Sequence, residues 1–344
     1  MRTSKLILLW VALLFSGAVF GQLDLNAPMP VDKNVRIGKL ENGLTYYIRK
    51  NAMPEKRIEL RLAVNAGSMQ ATDAQVGLAH FTEHMSFNGT KNFPKNELVS
   101  YLQSIGVQFG ANINAYTGFD ETVYMLQIPS DKSDIVEKGY QVISDWAHAV
   151  TMETKQIDDE RGVIIEEYRG GLGADDRMRK KWFPVAFYNS LYANRLPIGT
   201  LQNLQTFKPE TIRDFYATWY RPNLQAVVVV GDVNLDSAEA KVKQYFSGLK
   251  NPAQPQEKKL YDVAGNKDPL ISIATDKEAT GNMLLFFTKH KAASKKTIGD
   301  YRQELIHDLY NTMMSSRLSE LQQDPTCPFI QADASYGNFL ARTM

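Results

Sequence analysis

From residue 35 onward the chain shifts between two hydrophobic rhythms. VRIGKLENGLTYYIRK (35–50) reads as two short strands around the turn Glu41-Asn42-Gly43. RIELRLAVNAG (57–67) alternates apolar and polar residues, the pattern of a half-buried strand. The rhythm then lengthens, predicting a helix over 75–87 that ends at the turn signal Asn88-Gly89. KNELVSYLQSIG (95–106) predicts a second amphipathic helix closed by Gly106, and ETVYMLQIP (121–129) a strand stopped by Pro129. Helical spacing returns in SDIVEKGYQVISDWAHAV (133–150), with a Ser cap, and in TKQIDDERGVIIEEYRGG (154–171), ended by Gly170-Gly171. PETIRDFYATWYRP (209–222) is a helix framed by prolines. NLQAVVVVGDV (223–233) reads as a strand buried on both sides, and DSAEAKVKQYFSGL (236–249) as a helix with an Asp cap.

NPAQPQEKK (251–259) breaks the pattern with proline and charge, so a first domain over 22–250 is expected to end in a linker at 251–264. A strand–strand–helix order then restarts over 265–344, with strands at 270–276 and 282–290, a long helix at 297–323 and a further strand at 329–337. The expected fold class is α+β, with one complete unit and a second, shorter one, as in a truncated chain.

Composition adds three points. With 344 residues and 44% hydrophobic content, each domain can bury a core. A net charge of +1 offers no electrostatic grip on nucleic acid or anionic lipid, so neither is an expected partner. The mixed run DDRMRKKW (175–182) reads as a solvated helix face. The first residues stand apart: Arg2 and Lys5, then the apolar run LILLWVALLF (6–15), then small residues to Gln22. That order is a secretory signal peptide, 1–21, and the run is too short for the roughly 20 residues of a membrane span. The mature chain is expected to be exported to the periplasm without a membrane anchor. Cys327 is the single cysteine, so there is no disulfide framework, and it reads as a small buried apolar residue.

Chemistry concentrates in GLAHFTEHMSFNGT (77–90), where two of the five histidines, His80 and His84, stand four apart with Glu83 against the second. Four residues advance a helix by about 400°, so the imidazoles share one face and can hold one zinc ion. Glu83, on nearly the same face, can take a proton from water at such a metal. This is the H-x-x-E-H order. A third ligand must come from elsewhere, and ERGVIIEEYR (160–169) supplies carboxylates. Glu160, Val163, Ile164 and Glu167 form one stripe, with Glu160 and Glu167 only about 20° apart, while Glu166 points roughly 100° away. Carboxylates within an apolar stripe call for a cation opposite them. Glu167 is therefore the expected third ligand and Glu160 a carboxylate that orients a ligand; the competing account of each is an ion pair with Arg161 or Arg169.

Together these segments resemble the inverted-motif zinc peptidases of pitrilysin, insulin-degrading enzyme and the mitochondrial processing peptidase. The resemblance rests on GLAHFTEHMSFNGTKNFP (77–94), GANINAYTGFDETVY (110–124), ERGVIIEEYR (160–169) and FYATWYRPNLQAVVVVGDV (215–233). It implies zinc held by His80, His84 and Glu167, with Glu83 as general base and Glu160 in support. It also implies that Asn114 and Ala115 lie on a strand pairing with a peptide substrate. The gap from His84 to Glu167 is a few residues longer than in the best-known members, which reads as a loop insertion. The family fold implies repeated units of antiparallel sheet covered by helices, four of them forming a clamshell whose far half contributes an Arg and a Tyr. This chain covers the first unit and part of the second, so a missing half or a partner chain would complete the chamber. The expected function is a zinc endopeptidase acting on peptides or unfolded segments. The alternatives are a non-catalytic homologue serving as a binding or assembly subunit, which the intact motif argues against, and S-ribosylhomocysteine lyase, which needs a well-placed cysteine.

Overall fold

Strand β1 (Val35–Lys39) turns back at Gly43, whose φ of 93° suits glycine, into β2 (Thr45–Lys50), and β3 (Arg57–Val64) follows. In β3 the alternation is literal: Ile58, Leu60, Leu62 and Val64 are buried, while Arg57 and Arg61 face water. Next come α1 (Leu78–Asn88), α2 (Glu97–Ser104), β4 (Ile113–Thr117) and β5 (Thr122–Pro129). A helical stretch follows, with α3 (Ser133–His148), α4 (Thr154–Gly170), α5 (Ala174–Ala186), the short α6 (Leu201–Thr206) and α7 (Pro209–Trp219). The order continues with β6 (Gln225–Gly231), α8 (Leu235–Phe246) and the long α9 (Ile298–Leu321). This computed structural model describes residues 23–95 and 97–340. The expected signal peptide lies outside the described residues.

The six strands form one sheet in the order β1-β2-β6-β3-β5-β4. It is mixed rather than purely antiparallel: β6 runs antiparallel to β3 but parallel to β2, with Thr45 opposite Ala226. The helices between β2 and β6 carry the chain back to the same end, which a parallel pair requires. β6 buries Val227 and Val229 on one face and only half-buries Val228 and Val230 on the other, because helices cover one side fully. Helix α3 packs on β3 and β5, and α8 packs on β2 and α3. Two expected caps differ. Helix α8 is capped by Asn234, whose Oδ1 accepts from the N–H groups of Asp236 and Ser237 at 3.0 Å, and Ser133 lies inside the first turn of α3. The charged run of α5 is only partly the solvated face expected: Asp175, Arg177, Lys180 and Lys181 are exposed, but Asp176 is buried and paired with Arg179 and Lys180, while Arg177 pairs with Asp276 and Glu278.

The described residues divide into two units. The larger takes Asp32–Lys291 with Phe339 and Leu340; the smaller joins the segment ending at Val31 to Ala292–Asn338, where α9 lies. The strands expected at 270–276, 282–290 and 329–337 do not form among the described residues. Their apolar side chains stand in water, Ile273 at 84% exposure, Phe286 at 88% and Ile330 at 99%. A strand exists only through a partner, and no neighbouring strand lies beside these segments. Cys327 is free and half-buried rather than buried, on the short stretch after α9. No described helix is long and apolar enough to cross a membrane.

Candidate metal centre

Helix α1 is locked in place by contacts that do not involve its histidines. It enters through Gly77 at φ 93°, where an added Cβ would stand 3.0 Å from the Gly199 Cα. Its inner face buries Leu78, Phe81 and Met85. Trp146 Nε1 on α3 donates to the Ser86 carbonyl at 3.0 Å, and the Tyr124 hydroxyl lies 3.0 Å from Ser86 Oγ and 2.7 Å from the Tyr220 hydroxyl. The loop leaving the helix is tied down by Asp145, which accepts from Thr90 Oγ1, the Asn92 N–H, Asn92 Nδ2 and Gln141 Nε2. Pinned at both ends, α1 presents His80 and His84 outward on one face.

Helix α4 lies against it and supplies the carboxylates. His80 Nε2 is 3.6 Å from Glu167 Oε1, and His84 Nε2 is 3.5 Å from Glu167 Oε2. Among the described residues, His80, His84 and Glu167 bring one ligand atom each to within 4.8 Å of one another. Two ligands of a tetrahedral zinc at about 2.0–2.1 Å stand roughly 3.4 Å apart, so these separations suit that ion. Burial lowers the His80 pKa to about 4, with His84 and its charge adding to the effect, which leaves the neutral imidazole a ligand needs. For His84, burial pulls downward, but the bond to Glu160 and the charges of Glu160, Glu83 and Glu167 outweigh it and raise the pKa.

Glu160 sits one step along the same contact. Its Oε1 accepts from His84 Nδ1 at 2.8 Å, so the ring keeps its proton there and turns the Nε2 lone pair toward Glu167. The two carboxylates differ in setting: the Glu160 side chain is 14% exposed and that of Glu167 50%. The competing arginines are occupied elsewhere. Arg161 donates to the carbonyls of Leu204 and Phe207, and Arg169 pairs with Glu166, which turns away from the stripe. Glu83 is buried beside the imidazoles, and burial raises its pKa while a 2.7 Å hydrogen bond from Thr117 Oγ1 opposes the rise.

Asn114 and Ala115 lie on β4, the outermost strand beside α1, and line the same cavity of about 590 Å³ as the histidines. Asn114 pairs with Met125 of β5, and the Ala115 N–H donates to Asn114 Oδ1 at 2.9 Å. The structure thus brings His80, Glu83, His84, Glu160, Glu167, Asn114 and Ala115 to one cleft. Sequence reasoning missed Thr117 and Asn88, both of which bond the acidic groups. Asn88 was visible as the third member, after His80 and His84, of a four-residue repeat on α1. Thr117 carried no signal until the sheet placed it against Glu83.

Comparison with known proteins follows the same lines. The model described as Insulinase (Peptidase family M16) matches residues 46–178, and that described as Peptidase M16 inactive domain matches 206–324. The chain belongs to the insulinase family of peptidases. Within that family, a probable zinc protease PqqL of Haemophilus influenzae is 34% identical over 326 residues, covering 94% of this chain and 35% of the relative. The crystal structure of the first half of the periplasmic protease PqqL from Escherichia coli superposes with a TM-score of 0.76 at 30% identity, covering 86% of this chain and 63% of that one. A mutant of the ferredoxin protease FusC in complex with Arabidopsis ferredoxin gives a TM-score of 0.69 at 25% identity, covering 87% and 33%. The chain spans about a third of the length of the curated relatives it matches, 35%, 32% and 28% for three of them.

Proposed function

We propose that this chain carries the zinc-binding, catalytic unit of an exported endopeptidase that hydrolyses peptides or unfolded protein segments. The observation that carries the reading is the convergence of two imidazole Nε2 atoms and one carboxylate, with the buried Glu83 beside them. His80, His84 and Glu167 would hold the ion. Zinc, when bound, supplies Lewis acidity that polarises a carbonyl and makes a water easier to ionise. Glu83 acts as general base: Thr117 occupies its Oε2, leaving Oε1 to take the proton from the attacking water. Glu160 keeps His84 in the ligating tautomer. Asn114 and Ala115, on the outer strand, receive an extended peptide as an added strand, a mode tolerant of sequence. Export to the periplasm is supported by the N-terminal sequence and by the relative described as a periplasmic protease. A second half, covalent or from a partner chain, would complete the chamber, as the relatives' greater length supports.

Zinc content of the purified chain tests the ligand set, with about one ion per chain expected and release or weakening in Glu167→Ala. Glu83→Gln separates catalysis from binding. In a protein that includes both halves, the variant keeps its zinc and loses peptidase activity by a factor of at least about 100. Undiminished turnover would mean that Glu83 is not the base, whereas a zinc-loaded wild type with both halves and no turnover would favour a non-catalytic binding subunit.

A further inference from the structure

Helix α1 carries a four-residue repeat of polar side chains on its outer face: His80, His84 and Asn88. Helix α4 answers with two carboxylates two turns apart, and the two helices run antiparallel there. Glu167 meets His80 and His84, whereas Glu160 meets His84 and Asn88. Asn88 Nδ2 donates to Glu160 Oε2 at 2.6 Å while His84 Nδ1 donates to Glu160 Oε1 at 2.8 Å. The two oxygens of one carboxylate are thus held by two donors one helical turn apart, so the spacing of α1 sets the carboxylate's direction.

The choice of an amide matters. A half-buried carboxylate with one free oxygen can swing about its last torsion and carry its other oxygen away from the imidazole. A second donor removes that freedom. A lysine or arginine at position 88 would compete with the ring for the carboxylate's charge. A carboxylate there would repel it. A neutral donor of fixed length does neither.

We propose that Asn88 is a positioning residue for the metal centre: it acts through Glu160 to hold the His84 ring in its ligating orientation. This rests on the zinc reading given above, and the test separates the two. Zinc affinity of the purified chain is measured by competition with a chelator for the wild type, Asn88→Leu, Glu160→Ala and the double variant. The metal-free melting temperature of each serves as a check on folding. The wild type binds about one zinc, and Asn88→Leu binds about tenfold more weakly, the lower end of what the loss of a supporting hydrogen bond costs. In the Glu160→Ala background the same change costs nothing further, because nothing is left to hold. A merely structural Asn88 would cost the same in both backgrounds, and that outcome overturns the proposal, as does an Asn88→Leu affinity equal to the wild type. Should Asn88→Leu fail to fold, Asn88→Asp keeps the shape while replacing the donor with a repelling oxygen. It is expected to weaken zinc at least as much, and unchanged binding in it overturns the proposal. A folded wild type that takes up no zinc overturns the zinc reading and this inference with it.

Discussion

Glu239 shows how far a surface carboxylate can be held from its ordinary behaviour. Lys243 Nζ at 2.6 Å, the Tyr46 hydroxyl at 2.7 Å and Arg36 Nη1 at 2.7 Å all reach it, joining α8 to β1 and β2. The Lys243 bond lowers its pKa most, with Tyr46 and Arg36 adding, from 4.5 to about 2. A carboxylate with a depressed folded pKa stabilises fully above its unfolded pKa and loses that contribution as the pH falls. The melting temperature of the wild type should therefore exceed that of Glu239→Gln at about pH 7. The gap should shrink below about pH 4.5 and close near pH 2, the window between the two values for this group. A gap independent of pH over that range would show that the Glu239 charge does not matter. Glu83 is the opposite case, because burial raises its pKa and one threonine hydroxyl works against the rise.

That threonine depends on how β4 turns into β5. Gly67, three residues past β3, stacks against this hairpin, and an added Cβ would collide with the Gly118 carbonyl and stand 2.7 Å from the Glu121 nitrogen. Gly67→Ala should cost about 1–3 kcal/mol in chemical denaturation, because backbone has to give way. A loss below about 0.5 kcal/mol would mean that the hairpin is free to shift. The same hairpin shows where sequence reading stops. Periodicity located β2, β3, β5 and β6 and the helices α3, α7 and α8, because each buries one face and the face repeats in the sequence; it also located β1 and the long α9, which bury no residue. Spacing of four in α1 and of seven in α4 also put His80 with His84, and Glu160 with Glu167, on one stripe of each helix. Periodicity says nothing of partners, so the parallel pairing of β2 with β6 was not legible. Neither was the meeting of Thr117 with Glu83 across 34 positions of chain. The apolar runs at 270–276 and 282–290 mark the reverse limit: their pattern asks for a sheet that the described residues do not provide.

Among the described residues, helices and strands are unevenly distributed. No described helix or strand lies between Phe246 and Ile298, and Lys267 and Lys277 in that stretch are exposed. The domain division at 251–264 is a proposal that limited proteolysis can address. Trypsin under native conditions should cut first between 259 and 291 and leave the six-stranded unit whole. First cuts within β1 to α8 would contradict this. The facing of α1 and α4 fixes where the chain tolerates insertions. One residue inserted between Glu160 and Glu167 would swing Glu167 about 100° off the shared face, and one inserted between His84 and Asn88 would do the same to the amide. An insertion in a loop between the two helices, such as the one joining α2 to β4, lengthens a path without turning either face. Descendants of a common ancestor are therefore free to drift in how far apart their two half-sites lie along the gene. They cannot drift in the spacing within either half, and that asymmetry would let such a centre outlast most of the sequence around it.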